Sequence, residues 1–169
     1  MKKLFLTLII AFAGILSVNA QVWTGGSLSA NFKNDVNKFK IVPEIGYSFQ
    51  NSHWTIAAAA NYNYNDGVNE LILSPYVRYS VCNIEKFALF MDLTGDFGIS
   101  GVKGYRVGLQ PGIAWMATKH WTAAFRFAFL GYNQLDGFSQ SDDASAYGQD
   151  GFVVDFAAAA PMFGLYYNF

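Results

Sequence analysis

From Phe39 onward the chain alternates between bulky apolar side chains and small or polar ones. Phe39, Ile41, Pro43, Ile45, Tyr47 and Phe49 form one phase, against Lys40, Val42, Glu44, Gly46, Ser48 and Gln50. A period of two sends successive side chains to opposite faces of a strand. The pattern recurs from Trp54 (Ile56, Ala58, Ala60, Tyr62, Tyr64), Leu71 (Leu73, Pro75, Val77, Tyr79, Val81) and Phe87 (Leu89, Met91, Leu93, Gly95, Phe97). It returns from Tyr105 (Val107, Leu109, Pro111, Ile113, Trp115) and Trp121 (Ala123, Phe125, Phe127, Phe129). Weaker alternation marks Val22–Phe32 and the end of the chain, where Phe169, Tyr167, Leu165 and Phe163 oppose Asn168, Tyr166 and Gly164. Eight strands follow. Polar clusters rich in Gly, Asn and Asp separate them, as turn chemistry requires. The expected turns are short at 51–53, 82–86 and 117–120. Longer loops are expected at 33–38, 66–69, 99–104 and 133–151, the last much the longest. An even count puts both termini on the short-turn side.

Side-chain size decides which face looks inward. An eight-stranded barrel has an interior just wide enough for side chains to fill. The aromatic and branched phase is too bulky to fit there; the Gly, Ala, Ser, Thr and Asn phase can. The predicted fold is therefore all-β, an eight-stranded antiparallel up-and-down transmembrane β-barrel with its apolar face toward lipid. The alternative is a soluble lipocalin-like carrier with that face turned inward. Charge placement favours the membrane form: Lys40, Glu44, Arg78, Asp92, Asp96, Arg106 and Arg126 all share the small-residue phase. Pairing Phe97 with Tyr105 would set Asp96 opposite Arg106, and Glu44, Asp92 and Arg126 fall at similar heights. A lumen ionic network of Glu44, Arg78, Asp92, Asp96, Arg106 and Arg126 is expected. Pairing Tyr64 with Leu71 would set Ala59 against Tyr76 and Ala57 against Arg78. Asp155 shares parity with Phe169; at roughly 33–38 Å above the terminus it would clear an apolar band about 25 Å tall, unless a bulge in 157–160 intervenes.

Aromatic residues flank both ends of the strands. Tyr47, Trp54, Tyr79, Phe87, Trp115, Trp121, Tyr167 and Phe169 lie near the short turns; Phe32, Phe39, Tyr62, Tyr64, Phe97, Tyr105 and Phe129 lie near the longer loops. Amphipathic rings collect at membrane–water interfaces. The four prolines, Pro43, Pro75, Pro111 and Pro161, all fall in the apolar phase of even-numbered strands, where a local bulge or twist would accommodate a missing ladder donor.

Composition narrows the class further. The chain is 53% hydrophobic, 18% aromatic and 14% charged, against about 25% charged in ordinary soluble proteins. Its one long apolar run, Leu4–Leu16, follows Lys2 and Lys3 and precedes Ser17-Val18-Asn19-Ala20. That run is short for a spanning helix and has the shape of a cleaved signal peptide over residues 1–20, leaving 21–169 as the barrel domain. Losing two lysines takes the formal charge from −1 to −3, which argues against nucleic acid as a partner. Cys82 stands alone, so no internal disulfide framework exists.

The ending Phe163-Gly-Leu165-Tyr-Tyr167-Asn-Phe169 resembles the C-terminal signal that the barrel-assembly machinery recognises. The stretch Pro43-Glu-Ile-Gly-Tyr-Ser-Phe49, followed by a turn and a second amphipathic strand, resembles the small outer-membrane β-barrel families of Bacteroidetes-type bacteria, similar in architecture to OmpX and the OmpA barrel. The resemblance covers essentially all of 21–169. It implies residence in the outer membrane of a Gram-negative bacterium, with lipid, lipopolysaccharide and the assembly machinery as partners, in a monomer. It says little about activity, because fold does not give function.

Candidates for chemistry are few. A lipid A-modifying enzyme needs a nucleophile and base within reach. His53 and His120 fall in the short turns, whereas Ser139, Ser141 and Ser145 fall in the last loop, on the other side. Asp136, Asp142, Asp143 and Asp150 could collect a divalent ion, though a solvated loop accounts for them as well. Tyr76, Phe90, Arg78 and Arg126 would plug the lumen. The expectation is a barrel without cofactor, metal, catalytic residue or open pore. Its role would be structural or surface-interacting, through loops of which 133–151 is the longest.

Overall fold

The computed structural model describes residues 21–33, 36–65, 68–136, 150–155 and 162–169; the leader at 1–20 lies outside them. Each alternating stretch forms a strand, since β-branched and aromatic residues fit a pleated wall with two different faces. The strands are β1 (Gln21–Lys33), β2 (Val36–Ser48), β3 (Trp54–Asn65), β4 (Val68–Ile84) and β5 (Phe87–Ser100). They continue as β6 (Lys103–Met116), β7 (Trp121–Arg126), β8 (Phe129–Asp136), β9 (Gly151–Asp155) and β10 (Met162–Asn168). The order β5-β4-β3-β2-β1-β10-β7-β6-β8-β9, with β5 also paired to β6, closes the sheet. Both β7 and β8 pair with β6, and β10 and β9 pair with β7 and β8 in turn. They are lower and upper parts of the same two staves. The result is a closed eight-stranded antiparallel barrel, with no helix among the described residues.

Alternation predicts the two faces along nearly the whole wall. Ile45, Ile56, Leu73, Val77, Leu89, Leu93, Val107, Leu109, Phe125 and Leu165 are exposed, while Val42, Glu44, Ala59, Ser74, Asp92, Thr94, Gln110, Ala114 and Ala124 are buried. The exception lies at Phe127–Ala128. Gly112 stands opposite Arg126 and Leu109 opposite Leu130, so two residues of β6 face three of the seventh stave. The extra residue is a bulge, and a bulge reverses the phase beyond it. It sits against Pro111, whose missing N–H already breaks the ladder; Phe127 N donates to Pro111 O at 3.3 Å. Phe129, expected on the outer girdle, is therefore turned inward and is 1% exposed. At Pro43 and Pro75 the outcome differs: the register runs through unbroken, with Ile41 opposite Tyr62 and Glu44 opposite Ala59, and Pro75 opposite Ala58. Pro161 lies outside the described residues.

The last stave also changes phase. Val154 and Phe163 are both exposed although they lie nine positions apart, so one unbroken alternation does not join β9 to β10. Counting back from Phe169 thus fails to place Asp155. It pairs opposite Phe129, at the lower end of the β8–β9 ladder that runs up to Asn133 and Gly151, rather than above the wall.

Two further expectations need correcting. Only two residues separate β1 from β2, β3 from β4 and β5 from β6, so three of the four loops expected to be long are not. Asn65 pairs with Val68, leaving Asp66-Gly67 between them; Asp-Gly is a preferred two-residue hairpin sequence. The β3–β4 register lies two residues from the expected one: Ala57 stands opposite Tyr76 and Thr55 opposite Arg78. The last loop is shorter than 133–151, because β8 runs to Asp136 and Asn133 pairs with Gly151. Asn133 is fully buried.

Candidate functional site: the closed ionic lumen

Aromatic rings and ion pairs fill the barrel. Nearest the short turns, Trp23 meets Tyr166 edge to face at 5.0 Å between centroids, and both pack with Tyr76, Phe90, Ala114 and Ala124. Space for these rings comes from glycines in the inward phase of neighbouring strands. A Cβ on Gly25 would stand 2.7 Å from Tyr166 Cδ1, and one on Gly46 would stand 2.9 Å from Trp23 Cη2, with two other ring atoms closer. Phe90 covers Gly112 and Phe129 covers Gly108 and Gly131 in the same way. Gly46→Val is expected to cost about 1–3 kcal/mol, the usual penalty of overpacking, measured by urea unfolding in micelles.

Above the rings lies a four-charge cluster. Arg126 Nη1 and Nη2 donate to Glu44 Oε1 (3.1 Å) and Oε2 (3.0 Å), and its Nε donates to Asp92 Oδ2 at 2.9 Å. Arg78 forms a fork with Asp92, Nε to Oδ1 at 2.7 Å and Nη2 to Oδ2 at 2.8 Å. The remaining acceptor capacity of Glu44 is met by Tyr76 Oη (2.7 Å) and Tyr166 Oη (3.0 Å). Two guanidinium groups balance two carboxylates, and the planar forks suit the bidentate geometry that arginine offers. Asp92 is 0% exposed, so this balance is what makes its burial tolerable.

A second pair sits higher. Asp96 stands opposite Arg106 in the β5–β6 register and accepts from its Nε at 2.7 Å and Nη2 at 2.6 Å. Thr94 Oγ1 donates to Asp96 at 3.3 Å, and the Arg106 guanidinium lies 4.2 Å from the centroid of Phe129. Ile72, Val102 and Leu135 form an apolar cluster toward the upper mouth. The structure thus brings Glu44, Arg78, Asp92 and Arg126 into one network and sets Asp96 and Arg106 apart as a separate pair.

Of the interface aromatics, Trp54, Trp115, Trp121 and Phe169 are exposed on the outer face near the short turns, and Tyr167 is half-buried among them. Trp54 packs on Tyr79 at 4.7 Å, Trp121 on Tyr167 at 5.2 Å, and Tyr167 on Phe169 at 5.1 Å. The turn histidines join these stacks. His53 lies 5.7 Å from Tyr79 and His120 lies 5.5 Å from Tyr167. Each Nδ1 lies 3.0 Å from a backbone oxygen, of Ser80 and of Asn168. A carbonyl can only accept, so both imidazoles carry their proton on Nδ1. The last-loop serines and the Asp136, Asp142 and Asp143 side chains lie outside the described residues. Cys82 is half-buried.

Trp23 is the lumen residue that alternation alone leaves unremarked. It lies in the weak first strand, and the pointer to it is Gly46, its partner on the adjacent strand, whose missing side chain leaves the space the ring fills. Between the ionic layers lies a cavity of about 30 Å³, lined by Lys40, Asn61, Tyr76, Asp96, Arg106 and Arg126 among others; that is room for a water or two. Below the rings a vestibule of about 270 Å³ opens at the short-turn end. No protein-family model, curated protein or solved structure matches the chain.

Proposed function

We propose that the protein is an integral outer-membrane barrel with a structural or surface-interaction role, exported by a leader at 1–20 and presenting its last loop outside the cell. One observation carries this reading: the outer face is a continuous band of exposed Ile, Leu, Val, Phe and Trp, while the described charges of the wall at mid-height turn inward. Water would penalise such a band; acyl chains would not. The soluble-carrier alternative needs an open apolar cavity, whereas the lumen here is crossed by packed rings and paired charges. The same filling disfavours a water-filled pore. Trp54, Trp115, Trp121, Tyr167 and Phe169 would then sit at the headgroup level of the periplasmic leaflet. The C-terminal strand would be read by the assembly machinery, as the resemblance implies.

Cell fractionation combined with gel mobility before and after boiling tests this. The expected result is recovery in the outer-membrane fraction with a fast-migrating unboiled band. Recovery in the soluble periplasmic fraction overturns the reading.

A further inference from the structure

We propose that the vestibule at the short-turn end is a binding site for a small anion bearing a carboxylate or phosphate group. Its volume of about 270 Å³ is just below the ~300 Å³ at which small-ligand pockets begin.

The vestibule is built by a repeated motif. His53-Trp54-Thr55 and His120-Trp121-Thr122 open β3 and β7, each beside a strand carrying Tyr79-Ser80 or Tyr167-Asn168. Each pair is locked by two backbone links: Ser80 N donates to His53 O at 2.8 Å and Asn168 N to His120 O at 2.7 Å, with the Nδ1 bonds returning. The two copies stand four staves apart in a ring of eight, on opposite sides. Alternation sends Trp and Tyr outward and delivers Thr55, Ser80, Thr122 and Asn168 to the vestibule wall.

Charge gives the class of ligand. Arg78 and Lys119 line the vestibule, and among the described residues no Asp or Glu does. Arg78 is fixed in place: Nε and Nη2 are held by Asp92, and its Cζ lies 3.7 Å from the centroid of the Phe90 ring. Among the described residues its hydrogen bonds are the two to Asp92, made by Nε and Nη2, and the side chain keeps 12% exposure. The cluster behind Arg78 is neutral overall, with two guanidinium groups against two carboxylates, so the vestibule's positive character comes from Lys119 and from the guanidinium N–H groups turned toward it. A preorganised guanidinium edge, ringed by hydroxyl and amide donors with a lysine at the mouth, is an arrangement suited to an oxyanion. The upper cavity, by contrast, carries both signs and holds little more than water.

The test is a titration of ¹⁵N-labelled protein, folded in maltoside micelles, with inorganic phosphate at constant ionic strength, followed by amide and Arg Nε–H shifts. Saturating shifts are expected at Thr55, Arg78, Ser80, Thr122 and Asn168, and none at Asp96 or Arg106. Acetate run in parallel distinguishes carboxylate from phosphate: whichever anion saturates the same resonances at lower concentration is the preferred group. Lys119→Gln should weaken binding about threefold or more, the scale of one exposed charge contact, while Lys86→Gln on the same rim should not. Shifts that stay linear for both anions, or equal effects of the two lysine substitutions, overturn the proposal.

Discussion

Arg126→Met is expected to destabilise the barrel by about 3–5 kcal/mol, the cost of removing one partner from a buried ionic cluster. Among the described residues, Arg126 is the one that bonds both mid-lumen carboxylates. Without it Glu44 keeps two tyrosine hydroxyls and Asp92 keeps Arg78, but one negative charge is left uncompensated where both carboxylates are buried. Adding Glu44→Gln removes that charge and should recover most of the loss. Arg126→Lys should behave like the methionine variant to a large degree, because a single ammonium cannot fork between Glu44 and Asp92. Urea unfolding in micelles, read by tryptophan fluorescence, measures all three. Independent, additive costs for Arg126→Met and Glu44→Gln would mean that the two side chains are not energetically coupled.

The wall was legible from the sequence because its signal is redundant: eight stretches repeat one alternation, and a single slip would move every side chain to the wrong face. Pairing of Asp96 with Arg106 followed from that alternation and one turn, and the β5–β6 register has it. Where one residue is inserted, parity carries no warning. Phe127–Ala128 reads as a continuous apolar run, so Phe129 was assigned by counting and fell on the wrong side. The β3–β4 register depended on whether Asp66-Gly67 formed the whole connection, which alternation cannot decide. Tyr76 and Tyr166 could be placed inside by phase, yet their hydroxyl bonds to Glu44 depend on relative strand heights around the ring. That is a property of closure, invisible in any one segment. The repeated His-Trp-Thr was visible in the chain, but its meaning needed the topology that sets the two copies on opposite walls.

Leu93→Arg gives the second large effect, and its sign separates the membrane reading from the soluble one. Leu93 is 52% exposed, pairs with Val77 and Leu109 on either side, and adjoins Asp92 at the level of the ionic cluster. That is mid-height on the outer wall. In a bilayer, arginine there is expected to cost about 2–4 kcal/mol, and the same change near an interface about 0–1 kcal/mol. Phe87→Arg, beside the Glu85–Lys86 turn, is the interface comparison. In water neither position would matter much: exposed substitutions away from specific contacts shift stability by only about 0.5 kcal/mol either way, and charge in place of an exposed apolar group favours solubility. Equilibrium folding into lipid vesicles should therefore rank Leu93→Arg well below Phe87→Arg and both below the parent chain. Equal stability of the three would remove lipid from the outer face, and with it the reason for a barrel built with its oily side out.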